Sequence, residues 1–240
     1  MLHYDKLQHH PRKFLALTGL TLKEFKFLLP AFRNAYERTY PTDQTLTGEP
    51  RQRKAGGGRK SALDSFEQKL LFILVYQKTY PVQTLCGEVF GLSQSRTNDW
   101  IHRLLPILQA ALDDLGFLPE RDPQHFTQHE ERQGDSQDYL IDGTERRRQR
   151  PKNPEKQRWH YSGKKKTHSD KNVVIAHTRT KRVAYLSQTY AGKTHDKQVA
   201  DAETIVYPQG SQLGKDTGFQ GYEPHGCQTY QPKKNRATAN

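Results

Sequence analysis

The apolar residues change period once along this chain, and that change limits what it can fold into. Up to about residue 115 they recur near helical spacing; beyond residue 138 they fall into short runs bounded by turn residues. Such a chain puts an all-helical domain first and a sheet-containing domain second. Its 240 residues leave room for one large domain or two small ones.

In the first half, residues 21–39 open on a capping-box pattern, Thr21 with Glu24, and carry Leu22, Phe25, Leu28, Leu29, Phe32 and Tyr36 at helical spacing. Pro30 is expected to kink or divide that helix. Residues 41–60, with Gly56-Gly57-Gly58 and a basic half, read as a linker. Ser61, with Asp64 three positions on, predicts the next helix, which ends before Tyr80-Pro81. Residues 82–105 then predict a helix over 82–90, a turn at Gly91 and a second helix capped by Ser93. Thr97, Trp100, Ile101, Leu104 and Leu105 form its buried side. Gln94, Ser95, Arg96, Asn98, Asp99, His102 and Arg103 remain for the other side. A second helix of that kind can enter the major groove, where Arg reads guanine and Asn or Gln reads adenine. An ordinary helical hairpin in a bundle has the same apolar pattern. Pro106 is expected to interrupt this helix before it resumes to Leu115.

Charge favours the DNA reading. The formal net charge is +12, with hydrophobic content at 33% and mean hydropathy at −0.97. A polyanionic partner follows, and nucleic acid comes first because neutralised phosphates release counterions. No apolar run spans a membrane and no long basic amphipathic helix lies on one. Cys86 and Cys227 match no zinc spacing and make no disulfide framework. The expected compartment is reducing and intracellular.

The second half holds the chemistry. Residues 118–137 are polar and read as a linker and domain boundary. "YLID" predicts a short strand ending at Asp142, residues 172–177 a second and 183–188 a third. Thr194 is expected to cap a helix through residues 195–206, and a fourth strand ends just before Asp216. From Asp142 to Lys166 there are ten Lys/Arg against three Asp/Glu. If the strands that carry Asp142 and Asp216 are neighbours, two carboxylates converge at one sheet edge. Oxygen ligands of that kind suit Mg²⁺, completed by substrate phosphate, and paired metal ions drive phosphodiester cleavage. The surrounding base, above all Arg146, Arg147, Arg148, Arg150, Lys164, Lys165 and Lys166, then holds the DNA backbone. Two unrelated aspartates in turns would look the same.

"YLIDGTERRRQRP", "YSGKKKTHSDKN" and "LGKDTGFQGY", in this order, resemble the DDE-type transposases of bacterial insertion sequences. "TLCGEVFGLSQSRTNDWIHRLLP" is similar to the helix-turn-helix that precedes their catalytic domain. The resemblance runs over roughly residues 60–235. It implies a ribonuclease-H-like fold with Asp142 and Asp216 as the first two acids of a catalytic and metal-binding triad. It also implies Mg²⁺ or Mn²⁺, terminal inverted repeats and target DNA as double-stranded substrates, a homodimer on the ends, and a place in the bacterial cytoplasm with the nucleoid. Family chemistry is hydrolysis of one strand at the element end, then in-line attack of the freed 3′-hydroxyl on target DNA. The third acid of the family is a glutamate on a later helix. Glu223 sits too close to Asp216 and in a loop, so the chain reads as a C-terminally incomplete copy or the upstream frame of a split gene.

The resulting expectation is of mixed α+β or α/β class. An N-terminal helix and basic linker span 1–60, an all-α helix-turn-helix domain 61–117, a linker 118–137 and an incomplete ribonuclease-H-like sheet domain 138–240. The function expected is end binding and, when complete, metal-dependent cleavage and strand transfer. The alternative is an inactive DNA-binding fragment that regulates transposition. RNA binding is a weaker reading, since no RNA-recognition signature appears. His195-Asp196 resembles a family feature at the helix start, and capping and helix-dipole contacts explain it as well; Trp159, His160 and Tyr161 either pack a strand or stack on an unpaired base. His3, His9 and His10 are too loosely arranged for a metal site, and no nucleophilic triad is present.

Overall fold

The helical period of the first half is realised as six helices among the described residues. The computed structural model describes residues 1–44, 49–51, 61–134 and 137–231. Most of the expected basic linker and the last nine residues therefore lie outside the described residues. The chain divides into two compact units, Met1–Phe117 and Leu118–Asn240.

In the first unit, α1 (Tyr4–Leu7) and α2 (Pro11–Thr18) precede α3 (Leu22–Thr39). The capping box at α3 is present: the Thr21 hydroxyl accepts from Glu24 N, and the Glu24 carboxylate accepts from Thr21 N at 2.7 Å. Pro30 does not divide α3, and Pro106 does not interrupt α6 (Gln94–Asp114). An interior proline costs about 3 kcal/mol. Phe25, Leu28, Phe32 and Ala35 are buried on either side of Pro30, at about 1.5–3 kcal/mol for each large side chain, so packing wins. Ile101, Leu104, Ile107 and Leu108 do the same for α6.

The central helix α4 (Phe66–Thr79) starts later than expected. Ser65, not Ser61, caps it by accepting from Gln68 N, while Ser61 accepts from Leu63 N in the turn before it. Residues 68–75 of α4 are all buried, so its apolar stripe widens to the whole circumference. α5 (Gln83–Phe90) then turns into α6 as the sequence predicts. Gly91 has φ +69°, and Ser93 accepts from Arg96 N. Gly87 is required by close approach: a Cβ there would meet the Leu92 carbonyl oxygen at 2.5 Å. One buried cluster runs from Leu7 through α3 and α4 to Ala111, so α1–α3 and α4–α6 share a core.

The second unit begins at Leu118 and takes in the segment read as a linker. α7 (Phe126–Gln133) drives Phe126 fully into the core against Tyr139, Tyr185 and Tyr207. Glu120 exchanges backbone hydrogen bonds with Ala184 and Leu186. β1 spans Asp138–Arg147, far past Asp142, because it pairs antiparallel with β3 (Thr167–His177) from Tyr139↔His177 down to Arg147↔Ser169. Between them come α8 (Pro154–His160) and β2 (Tyr161–Ser162). β4 (Val183–Leu186) and β5 (Tyr190–Ala191) pair with β3; then follow α9 (Asp196–Glu203), β6 (Ser211–Lys215), a 3-10 turn at Thr217–Phe219 and β7 (Cys227–Tyr230). The strand order is β2-β3-β1-β6-β7. β1, β6 and β7 are mutually parallel, so the sheet is mixed. α9 is capped by His195 rather than Thr194 and ends at Glu203, short of the expected Val206. A helical region followed by a mixed sheet is the predicted fold class.

Candidate functional site

Two surfaces carry the candidate chemistry, one in each unit. On α6, Gln94, Ser95, Arg96, His102 and Arg103 are exposed and Asn98 is half-buried, while Thr97, Ile101 and Leu104 hold the helix to the core. Gln83 on α5 organises part of this face. Its amide donates to Asn98 Oδ1 at 2.9 Å and accepts from Gln94 Nε2 at 2.6 Å. Sequence reading missed Gln83, whose partners lie 11 and 15 residues away. The Arg103 guanidinium sits 5.0 Å from the Tyr40 ring centre and 5.1 Å from that of Trp100, which fixes its direction.

In the second unit, Asp142 lies within β1, not at its end. The parallel register pairs Ile141 with Lys215, the residues that immediately precede Asp142 and Asp216. Asp142 is exposed, and its Oδ1 accepts from Gly143 N at 2.8 Å. Asp216 caps the 3-10 turn through Gly218 N, also at 2.8 Å. Alternation sends Ile141 into the core and Asp142 to the opposite face.

Asp216 also lines a cavity of about 390 Å³ together with Glu145, Lys171 and Asp196; Asp142 is outside that lining. Glu145 and Lys171 were not picked out from sequence, and Asp196 was read only with His195 as a helix-start pair. Lys171, on β3, is only 6% exposed. Its ammonium stands 2.8 Å from Asp196 Oδ1 and 3.6 Å from Glu145 Oε1, and donates to the Thr194 carbonyl at 2.7 Å. A buried ammonium needs such partners, and removing one costs about 3–5 kcal/mol. Asp196 is packed between two glycines: a Cβ on Gly143 would meet its Oδ1 at 2.5 Å, and one on Gly218 its Oδ2 at 2.9 Å. Asp196 is thus more than a helix-terminal acid. It links the residue after Asp142, the turn after Asp216 and the buried lysine. The signal in the sequence was the pair Gly143 and Gly218, each following a candidate acid.

Glu223 is engaged elsewhere. Its carboxylate pairs with Lys215 at 2.6 Å and accepts from the Thr229 hydroxyl, and these bonds lower its pKa. Among the described residues, no three His, Cys, Asp or Glu side chains gather closely enough to cage a metal ion. Asp142 and Asp216 each commit one oxygen to a backbone N–H and keep the other. That donor set suits a hard cation that takes its remaining ligands from substrate phosphate.

Residues 61–114 match the helix-turn-helix of DDE superfamily endonucleases, and residues 141–240 match the DDE superfamily endonuclease domain itself. The chain belongs to the DDE superfamily of endonucleases. No curated protein and no solved structure matches it. DDE superfamily endonucleases act on DNA and generally depend on divalent metal.

Within this DDE endonuclease the basic segment divides into two groups. Arg146 donates to Asn172 at 2.7 Å, Arg148 to Asp170 at 2.7 Å, and Arg150 to Gln157 at 2.9 Å. These arginines are held in direction by the protein. Arg147, Lys164, Lys165 and Lys166 are exposed. Trp159 and His160 belong to α8, not to a strand, and Trp159 is 62% exposed. Strand packing therefore does not explain them. No helix among the described residues is long and apolar enough to cross a membrane.

Proposed function

We propose that this DDE endonuclease is a transposase polypeptide of a bacterial insertion sequence, binding the element's terminal inverted repeats and cutting them at Asp142 and Asp216. The observation that supports the reading is the parallel β1–β6 register, which pairs the residues preceding the two aspartates in the domain that matches the endonuclease family. The exposed face of α6 reads bases of the duplex. The basic strand and Lys164–Lys166 hold its backbone. Asp142 and Asp216 would hold Mg²⁺ or Mn²⁺, which would supply Lewis-acid stabilisation of the phosphate under attack. Water adds to phosphorus, the 3′-oxygen leaves, and the released 3′-hydroxyl later displaces a 3′-oxygen of target DNA. A homodimer assembled on both ends brings them together for that step.

The test is strand nicking of labelled duplexes cut from the DNA flanking the gene, with Mg²⁺ or Mn²⁺. Nicking that disappears in Asp142→Asn and Asp216→Asn, with binding retained, is the expected result. Nicking that survives both substitutions would overturn the two-aspartate assignment. A second reading, a DNA-binding regulator without cleavage, is favoured by the lack, among the described residues, of three His, Cys, Asp or Glu side chains placed to hold a metal ion. Tight end binding with no nicking under either metal selects it.

A further inference from the structure

A second groove adjoins the acid cavity within the same unit. It is about 690 Å³ in volume and lies between α8 and the β2–β3 pair, walled by Arg150, Arg158, Tyr161, His168 and Lys193. No acid lines it, so its chemistry selects an anion. Gly163 and Lys193 line both this groove and the cavity that holds Asp216. A Cβ on Gly163 would meet nothing within 4 Å, so the shared wall is not crowded at that residue.

The aromatic groups here are poorly buried for their type. Tyr161 is 45% exposed, and Trp159 beside it is 62% exposed. Tyr161 and His168 face each other across the β2–β3 register, with ring centres 5.5 Å apart and planes at 69°. That edge contact holds the tyrosine in place. Lys193 places its ammonium 5.7 Å from the Trp159 ring centre, and its backbone N–H donates to the Trp159 carbonyl at 3.3 Å. The loop that carries Lys193 into α9 is thereby tied to α8. Rings plus cations without acids is the composition that binds a nucleotide: the ring takes the base, the cations take the phosphate. A base inside a duplex already has both faces stacked, so only an unpaired one can use the tyrosine.

We propose that this groove binds an unpaired nucleotide of the DNA strand, its base against Tyr161 and its phosphate against Lys193 and Arg158, next to the acid cavity. The proposal rests on the DNA-acting reading above and adds to it where the frayed strand end lies. A single-stranded tail leaves the duplex, passes Gly163 and is held on one side by a ring and on the other by two cations.

The experiment uses the full 240-residue chain and fluorescence anisotropy on three probes: a blunt duplex, the same duplex with a short DNA tail, and one with an RNA tail. A 2-aminopurine in the tail reports stacking. The DNA tail should tighten binding and quench the probe. Tyr161→Ala should lose about 5- to 150-fold of affinity for the tailed probe, corresponding to about 1–3 kcal/mol for one stacked base. Blunt-duplex affinity should stay unchanged, and Tyr161→Phe should keep both the quench and the gain. Equal losses on blunt and tailed DNA, or no gain from the tail in the unaltered chain, overturn the groove assignment while leaving duplex binding intact. An RNA tail bound more tightly than the DNA tail overturns the commitment to DNA. Failure of every duplex to bind overturns the DNA-acting reading itself, and the groove with it.

Discussion

Gly143 decides how closely Asp196 approaches β1. A methyl group there would sit 2.5 Å from Asp196 Oδ1, and that oxygen is held by the buried Lys171 at 2.8 Å. The carboxylate cannot swing away without breaking the ion pair. Gly143→Ala should therefore destabilise the second unit by about 1–3 kcal/mol, the usual cost of overpacking. Gly163→Ala, whose new methyl would meet nothing within 4 Å, is the matched control and should melt close to the unaltered protein. Equal melting points for the two variants would mean that Asp196 is not confined as drawn. On α6 the residues that face outward differ in freedom. Arg96 is exposed, while Asn98 is held by Gln83 at 2.9 Å. Replacing either by alanine should cost about 1–3 kcal/mol on the cognate end and relax base preference. Gln83→Ala should reproduce part of the Asn98 loss without removing a base-reading group. Equal losses on cognate and random duplexes would reduce the two residues to phosphate contacts.

β1 shows best what the sequence reveals and what it hides. Tyr139 and Ile141 alternate with exposed neighbours, and the strand was legible from them. Its continuation to Arg147 was not, because arginines at strand positions look like a solvated loop until β3 supplies the antiparallel partner. The same cause hid α7: one buried aromatic, Phe126, in a polar stretch gives no period, and only the tertiary contacts with Tyr139, Tyr185 and Tyr207 make it core. The α5–α6 pair was read almost residue for residue, since Gly91, Ser93 and the buried side of α6 are all local signals. Of the candidate site, Asp142 and Asp216 were visible as acids after apolar runs. Lys171 and Glu145 were not, and Asp196 was visible only as a helix-start acid, since what joins the three is a pairing across three elements. The extension of β1 carries its own prediction. Arg147 is exposed, whereas Arg146 and Arg148 are already hydrogen-bonded to Asn172 and Asp170. Arg147→Gln should lower the slope of log affinity against log salt by about 0.9, one phosphate contact. An unchanged slope removes Arg147 from the DNA path.

Each unit has its own buried cluster, one of aliphatic and phenylalanine side chains across α1–α6, the other rich in tyrosine. This difference gives the whole molecule an asymmetric response to alkali. In the second unit, burial raises the phenol pKa of Tyr139, Tyr185 and Tyr207, and pushes those of Tyr190 and Tyr222 to about 12. Glu203 adds to this for Tyr185 and Tyr190, accepting a hydrogen bond from each hydroxyl. In the first unit, Tyr4 and Tyr76 are raised, again chiefly by burial. A phenol that stays protonated in the fold but ionises near pH 10 when unfolded makes the unfolded state bind fewer protons. The stabilisation is thus complete below about pH 10 and is lost as pH rises from there through about 12. Thermal unfolding followed between pH 8 and 11 should resolve two transitions, with the tyrosine-rich unit losing melting temperature the more steeply above pH 10. Tyrosinate absorbance should step up with that transition, above the signal of the exposed tyrosines. A parallel decline of both transitions, or no step in tyrosinate absorbance as the second unit unfolds, would mean that these phenols are not shielded from solvent as the packing requires.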